Sequence, residues 1–228
     1  MQNQLLPSSA EKKARALLLS SELPVMERFP FFPHQESEIM RKIEEILKQK
    51  RRVVITSRGL IGRDGHQLGV VRIHKQEQVR KAIDFLKRVP KGVLVHLDPV
   101  PFSKDLENYM GILVASPSGH MLLEAVPAKE YRSLSRGRLK PSISFEKKSG
   151  SGFWRTRKNE GRGVMQVEPE KIRKILVEMK EKGHFDVVSS LVDKLGTISL
   201  EFRWHGNGVE YFDLFADPEK INQFKNAS

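Results

Sequence analysis

TISLEFRWHGNGVEYFDLF, residues 197–215, is two runs of alternating apolar and polar residues on either side of Gly206-Asn207-Gly208. Alternation at a period of two gives a strand with one buried face, and a short glycine-rich turn joins two such strands antiparallel. The pattern predicts strands over 197–204 and 210–215. Glu201 and Asp213 stand near opposing strand ends and can approach one another across the turn. Carboxylates on paired strands are a usual way to hold Mg²⁺ beside a nucleotide's phosphates. They are equally common as plain surface charges, so the pair is a candidate metal site and no more.

Working back from this hairpin, the same signals recur. Met110–Ala115 and Met121–Val126 pair across Pro117-Ser118-Gly119, and Ser142–Glu146 with Phe153–Arg155 across Gly150-Ser151-Gly152. A helix opens at Pro169, carries the stripe Ile172, Ile175, Leu176 and Met179, and stops at Gly183. A shorter one runs from Asp186, at its N-cap, to Leu195. Nearer the N-terminus, helices are expected over 36–49, with Ile39, Ile43, Ile46 and Leu47 on one face, and over 76–88. Strands are expected at 53–55, 69–73 and 93–97, the last ended by Asp98-Pro99. Phe29-Pro30-Phe31-Phe32-Pro33 reads as a proline-stiffened crossing packed on a core.

This order does not alternate as a doubly wound sheet would. It predicts an α+β protein with a mainly antiparallel sheet in two lobes. Residues 1–92 form an N-terminal helical segment and a small lobe, and 93–228 a larger one. The main sheet is expected from 93–97, 110–126, 197–204 and 209–215, under helices 169–183 and 186–195.

The chain of 228 residues contains no cysteine, which excludes disulfide scaffolds, thiol catalysis and cysteine zinc sites. Its seven histidines show neither i, i+4 pairing nor an HExxH pattern, which argues against zinc. No G-x-S-x-G elbow is present. No apolar run is long enough to span a bilayer, and the N-terminus lacks the form of a signal peptide, so no membrane partner and a cytoplasmic location are expected.

Charge is more telling. The chain carries a net +12, and ten basic residues face only two acidic ones between Tyr131 and Arg162. So concentrated a field attracts phosphate, on a nucleotide or on nucleic acid. Two stretches would use it. Ser57–Gly65 is a glycine-rich turn between strands whose N–H groups can cradle phosphate, with Arg58 and Arg63 beside it; it matches neither the P-loop nor the dinucleotide fingerprint. The other is Trp154, Arg155, Arg157, Lys158 and Arg162, where the ring could stack on a base of RNA or DNA, or else be buried.

In their order these features resemble a reduced ATP-grasp domain, similar to the ATP-binding part of phosphoenolpyruvate synthases and pyruvate phosphate dikinases. Val93-Leu94-Val95-His96 resembles that family's hinge strand V-x-V-Q. Leu123-Glu124-Ala125-Val126-Pro127 with Ser135-Arg136-Gly137-Arg138-Leu139-Lys140-Pro141 resembles its "IEA" strand and the glycine segment after it. Leu200-Glu201-Phe202 and Phe215-Ala216-Asp217-Pro218 stand where "IEW" and "QARP" occur. The family's "RSS" loop is only Thr56-Ser57-Arg58 here, and the glutamine and arginine of "QARP" fall on Phe215 and Asp217. The resemblance covers about Val53 to Pro218 and implies ATP and Mg²⁺ as cofactors and a phosphotransferase or ligase activity that the departures put in question. It places His96 at the adenine hinge, Glu124 near the ribose and Glu201 with Asp213 on the metal; Arg138 joins Arg58 and Arg63 as a candidate phosphate ligand. The alternatives are a non-catalytic, basic nucleic-acid-binding protein and a subunit of a larger assembly.

Overall fold

The structure, a computed structural model, describes residues 14, 16–49, 51–57, 70–90, 93, 95–101, 108–135, 137–206 and 208–216. The chain divides into two compact units: Met1–Leu6 with Met26–Asp105, and Pro7–Val25 with Leu106–Ser228. Both are α+β, and their sheets are mainly antiparallel. No helix among the described residues is long and apolar enough to cross a membrane.

In the first unit β1 (Phe29–Phe31), α1 (Glu36–Lys48), β2 (Arg51–Ser57), β3 (Val70–Ile73), α2 (Arg80–Leu86) and β4 (Val95–Pro101) follow one another. The sheet order is β1-β4-β2-β3, antiparallel throughout. The stripe Ile39, Ile43 and Ile46 of α1 is buried with Val53, Ile55 and Ile73 of the sheet and with Ala82, Phe85 and Leu86 of α2. Among the described residues of this unit, Arg28 and Asp98 form a buried ion pair. Arg28 Nε donates to Asp98 at 2.6 Å and Arg28 Nη2 at 3.2 Å, and neither side chain is more than 11% exposed.

Two expectations are corrected here. The strand predicted over 93–97 does not join the large sheet; β4 pairs with β1 and β2. Nor do Asp98 and Pro99 end it, since pairing with β2 continues to Pro101 opposite Arg51. The three-residue β1 covers β4 only from Val95 to Leu97. Beyond Leu97 no described strand pairs with that side of β4, where a proline costs no ladder hydrogen bond. Arg51 reaches around to Pro99 O at 3.5 Å while its other terminal nitrogen bonds Glu27 at 2.9 Å.

The second unit holds a six-stranded antiparallel sheet of order β12-β11-β5-β6-β8-β9. Its strands are β5 (Tyr109–Ala115), β6 (Met121–Pro127), β8 (Ile143–Lys147), β9 (Arg155–Lys158), β11 (Ile198–Trp204) and β12 (Val209–Phe215). A parallel pair, β7 (Lys140–Pro141) with β10 (Val164–Met165), lies outside it. The unit also holds the helices α3 (Tyr131–Leu134), α4 (Pro169–Glu181) and α5 (His184–Leu195).

Side chains alternate across this sheet. Leu113, Leu123, Leu200, Phe202 and Tyr211 point to the face covered by Ile172, Ile175 and Met179 of α4 and Val188 and Leu191 of α5. Ile112, Val114, Leu122 and Val126 point to the other, where Leu134 of α3, Leu139 and Met165 cover them. At Gly111 the ring of Phe202 takes the place a side chain would occupy: a Cβ there would lie 2.5 Å from Phe202 Cζ. Helix α5 begins two residues before the expected Asp186. Gly183, at φ +69°, turns the chain straight from α4 into α5. Asp186 falls in the first turn instead, where a carboxylate offsets the helix dipole.

The N-terminal segment closes one end of the sheet. Tyr211 N donates to Pro24 O at 2.8 Å, and Val25 bridges Tyr211 in parallel. At the far end β9 is an open edge.

Candidate functional site

The hairpin register decides what the carboxylates do. Glu201 on β11 stands opposite Asp213 on β12, as the turn allowed, but a bulge intervenes. Phe202 pairs with Tyr211 and Glu201 with Asp213, so Phe212 is the extra residue. A bulge re-aims the side chains around it. Phe212 meets the ring of Tyr131 edge-on, with centroids 5.8 Å apart, and Asp213 adds its charge to the surroundings of the same tyrosine.

The row continues through the sheet. Glu201 is in register with Ile112, and Ile112 with Glu124 on β6. With strands about 4.8 Å apart, the Cα atoms of Glu201 and Glu124 are roughly 10 Å from each other. Asp213, Glu201 and Glu124 thus share the face turned away from α4 and α5, and all three are half-buried.

Two cations and a phenol join them. Burial raises the Glu124 carboxyl above its ordinary range, while Arg157 of β9 and Lys140 of β7 pull it back. Lys140 is fixed by the β7–β10 pair, its N–H donating to Gly163 O at 2.9 Å. The hydroxyl of Tyr131 is buried, and its acidity is suppressed first by that burial and then by Glu201 and Asp213. No partner for it stands at ordinary hydrogen-bond distance, and the two carboxylates act on it as neighbouring charges that keep the phenol protonated. Tyr131 is therefore a donor at any physiological pH.

An adjoining cluster on the same sheet face is already satisfied. Arg203 holds Glu210 through contacts of 2.6 and 2.7 Å, and His205 Nδ1 meets Asn108 Oδ1 at 2.8 Å. His205 and Arg203 together, against opposing burial, hold the Glu210 carboxyl down to about 2. Distance makes Arg203 the stronger partner, because His205 Nε2 is 3.7 Å away, too long for a hydrogen bond. A depressed carboxyl stabilises the fold above its unfolded value of 4.5, and that contribution is lost as pH falls through about 2. With 31% of the side chain open to solvent, the expected loss is about 2 kcal/mol. Glu210→Gln should flatten the urea midpoint against pH between 4.5 and 2.

Of the residues predicted for a site, Glu201, Asp213 and Glu124 come together. His96 is buried in β4 of the first unit, and Arg138 is exposed in the turn before Lys140. Arg58 and Arg63 lie outside the described residues. Trp154 packs against the helix-side core, tilted on Phe185 with centroids 4.9 Å apart. Arg155, Lys158 and Arg162 are exposed, and Arg157 is half-buried. Tyr131 and Lys140 went unnoticed as site residues. Lys140 stands in the sequence as one charge among ten and as part of the 135–141 segment, with no role marked for it, and nothing in the sequence aims Tyr131 at a hairpin some seventy positions on.

The donor set is all oxygen, which suits a hard cation. Among the described residues no group of three or more His, Asp or Glu is placed to hold a metal ion by itself. Mg²⁺ makes no such demand, since one or two carboxylates and a substrate's phosphates suffice for it. The acidic row fits Mg²⁺ accompanied by a phosphorylated ligand.

No family model matches the chain, and neither does any curated protein. Solved structures do resemble it. D-alanine–D-alanine ligase from Helicobacter pylori superposes with a TM-score of 0.46 at 12% identity, covering 95% of this chain and 56% of the ligase. A RimK domain ATP-grasp protein from Sphaerobacter thermophilus gives 0.44 at 14%, covering 96% and 64%. N5-carboxyaminoimidazole synthase from Aspergillus clavatus, solved with ADP and 5-aminoimidazole ribonucleotide, gives 0.44 at 10%, covering 91% and 44%. The chain spans less than two thirds of the length of each. At these values the likeness establishes neither family nor activity.

Proposed function

We propose that this chain is an ATP-grasp-like nucleotide-binding protein that takes ATP with Mg²⁺ on the face of its six-stranded sheet turned away from α4 and α5. The observation that carries this reading is the acidic row, Asp213 opposite Glu201 at a bulge, with Glu124 two strands on and Lys140 and Arg157 beside it. Glu201 and Asp213 would hold the metal. Bound there, Mg²⁺ would neutralise phosphate charge, and Lys140 and Arg157 would take up what remained. Tyr131, kept protonated, donates toward the same place. Arg203 takes no part, being committed to Glu210. The finer form of the reading, a phosphotransferase or ligase akin to the ATP-binding part of phosphoenolpyruvate synthase, rests on the order of the sequence motifs.

Calorimetry with ATP tests it. ATP should bind in the presence of Mg²⁺ and not in EDTA. Glu201→Gln, which keeps shape and removes charge, should weaken that binding by about tenfold, or 1.4 kcal/mol, with the melting temperature nearly unchanged. A parent protein without affinity for Mg²⁺–ATP would overturn the reading, as would a Glu201→Gln variant that binds as the parent does.

A further inference from the structure

The open edge of the sheet offers a second surface that the acidic row does not use. The tip between β8 and β9 is held by its own hydrogen bonds: Ser151 N to Lys148 O at 3.0 Å, Ser151 Oγ to Phe153 O at 3.1 Å, and Phe153 N to Ser151 Oγ at 3.3 Å. Beyond it the two aromatic rings part. Trp154 turns inward onto Phe185 and anchors the strand. Phe153 turns outward and is 59% exposed. The guanidinium of Arg155 lies over the Phe153 ring, 5.0 Å from its centroid. One face of the ring thus carries a cation, while the residue as a whole stays largely exposed.

Around this ring Lys148, Arg155 and Lys158 are exposed. Glu146 stands opposite Arg155 in the ladder and is bonded to His120 at 2.9 Å, and Glu160 is exposed just beyond the end of β9. Glycines keep the tip bare, since a Cβ at Gly150 or Gly152 would meet nothing within 4 Å. Asn159 ties down the end of β9 through Pro141 O at 2.8 Å. Along β9 the cations alternate between the two faces, Arg155 on the face it shares with Arg157 and Lys158 on the other, so the fixed, extended edge carries charge on both sides and a ring at its start.

We infer that the β8–β9 edge binds single-stranded nucleic acid, one base stacking on the open face of Phe153 and the phosphodiester backbone following Lys148, Arg155 and Lys158. A ring with a flat open face beside a line of cations is the combination that binds single strands without regard to sequence. An apolar protein surface or a membrane would need more: no other large apolar side chain of this hairpin is exposed among the described residues. Trp154, the ring the sequence offered for stacking, is the anchor; Phe153 is the platform.

The test is fluorescence anisotropy with an oligouridine of about 16 nucleotides, enough for one site. Affinity should fall with salt, with a log–log slope of about 0.7 per phosphate contact on a single strand. Changing Lys148, Arg155 and Lys158 together to Ala should lower that slope by about two. Phe153→Ala should weaken binding about tenfold without altering the melting temperature, and Phe153→Trp should keep it. None of these residues belongs to the acidic row, so Mg²⁺–ATP binding should survive all of the variants and the two readings fail separately. No binding by the parent would overturn the inference. So would a triple variant with the parent's slope, Phe153→Ala binding as well as the parent, or equal binding of polyglutamate or anionic vesicles with the same dependence on Phe153.

Discussion

Gly111→Ala should be the most damaging single methyl in the second unit. The added carbon would stand 2.5 Å from Phe202 Cζ and closer still to the Glu124 carbonyl oxygen. Neither neighbour can give way easily. Phe202 is wholly buried, and the Glu124 carbonyl belongs to the backbone of β6, paired along its length to β5. Overpacking of a tight core costs about 1–3 kcal/mol, and obstruction by backbone places this case at the top of that range or above it. For a chain of this size that is a fall in melting temperature of roughly 6–12 °C. Phe202→Leu in the same chain should restore only part of it, because shortening the ring leaves the carbonyl in place. A double-mutant cycle in urea measures the coupling, and full rescue, or no loss at all, would contradict this account of Gly111. The strain also reaches the site: Gly111 precedes Ile112, which separates Glu201 from Glu124, so strands forced apart there should weaken Mg²⁺–ATP binding even where the variant is folded.

The second large effect is expected in the other unit. Asp98→Ala leaves the Arg28 guanidinium, 11% exposed, without its anion. One of its nitrogens, Nη1, already lacks a hydrogen-bond partner. Removing one member of a buried pair costs about 3–5 kcal/mol, because the charge left behind stays desolvated. The pair as a whole is worth far less than that. Arg28→Met with Asp98→Leu should recover most of the loss, since apolar groups of similar volume often replace a buried pair at little cost. Urea unfolding of the three variants decides: a double variant no more stable than Asp98→Ala would mean that the pair itself holds β4 in place.

What could be read in advance follows from how local each signal is. The hairpins of β5–β6 and β11–β12 were legible because alternation and turn residues sit within twenty positions of each other. Helix α4 was legible from Pro169, its stripe and Gly183. The partner of β4 was not, since Val95 to Leu97 fits equally well beside β5 or beside β2, and only tertiary packing chooses. Asp98-Pro99 misled for a related reason: whether proline ends a strand depends on which side of it is open, and that is set by the length of β1. At the site, the turn at 206–208 placed Glu201 near Asp213 but said nothing of the bulge at Phe212, which turns this part of β12 toward Tyr131. Glu124 was singled out through a family resemblance. Its place in one row with Glu201 depends on the pairing of three strands, which a single strand's sequence does not contain.

The hydrogen bond from Tyr211 to Pro24 has a consequence for how the protein is made. Pro24 and Val25 leave the ribosome well before β12, so the second unit cannot complete this contact until β12 has been synthesised. Met26–Asp105 lies between the two parts and has its own core, so it can fold while the N-terminal segment waits. Folding it draws together the ends of what would otherwise be a long loose loop, and the entropy of loop closure rises with the length still unstructured. The first unit thus acts during biosynthesis as a clamp that brings an early segment within reach of a late one. Variants that destabilise it, Asp98→Ala among them, should slow the final closure of the six-stranded sheet of the other unit.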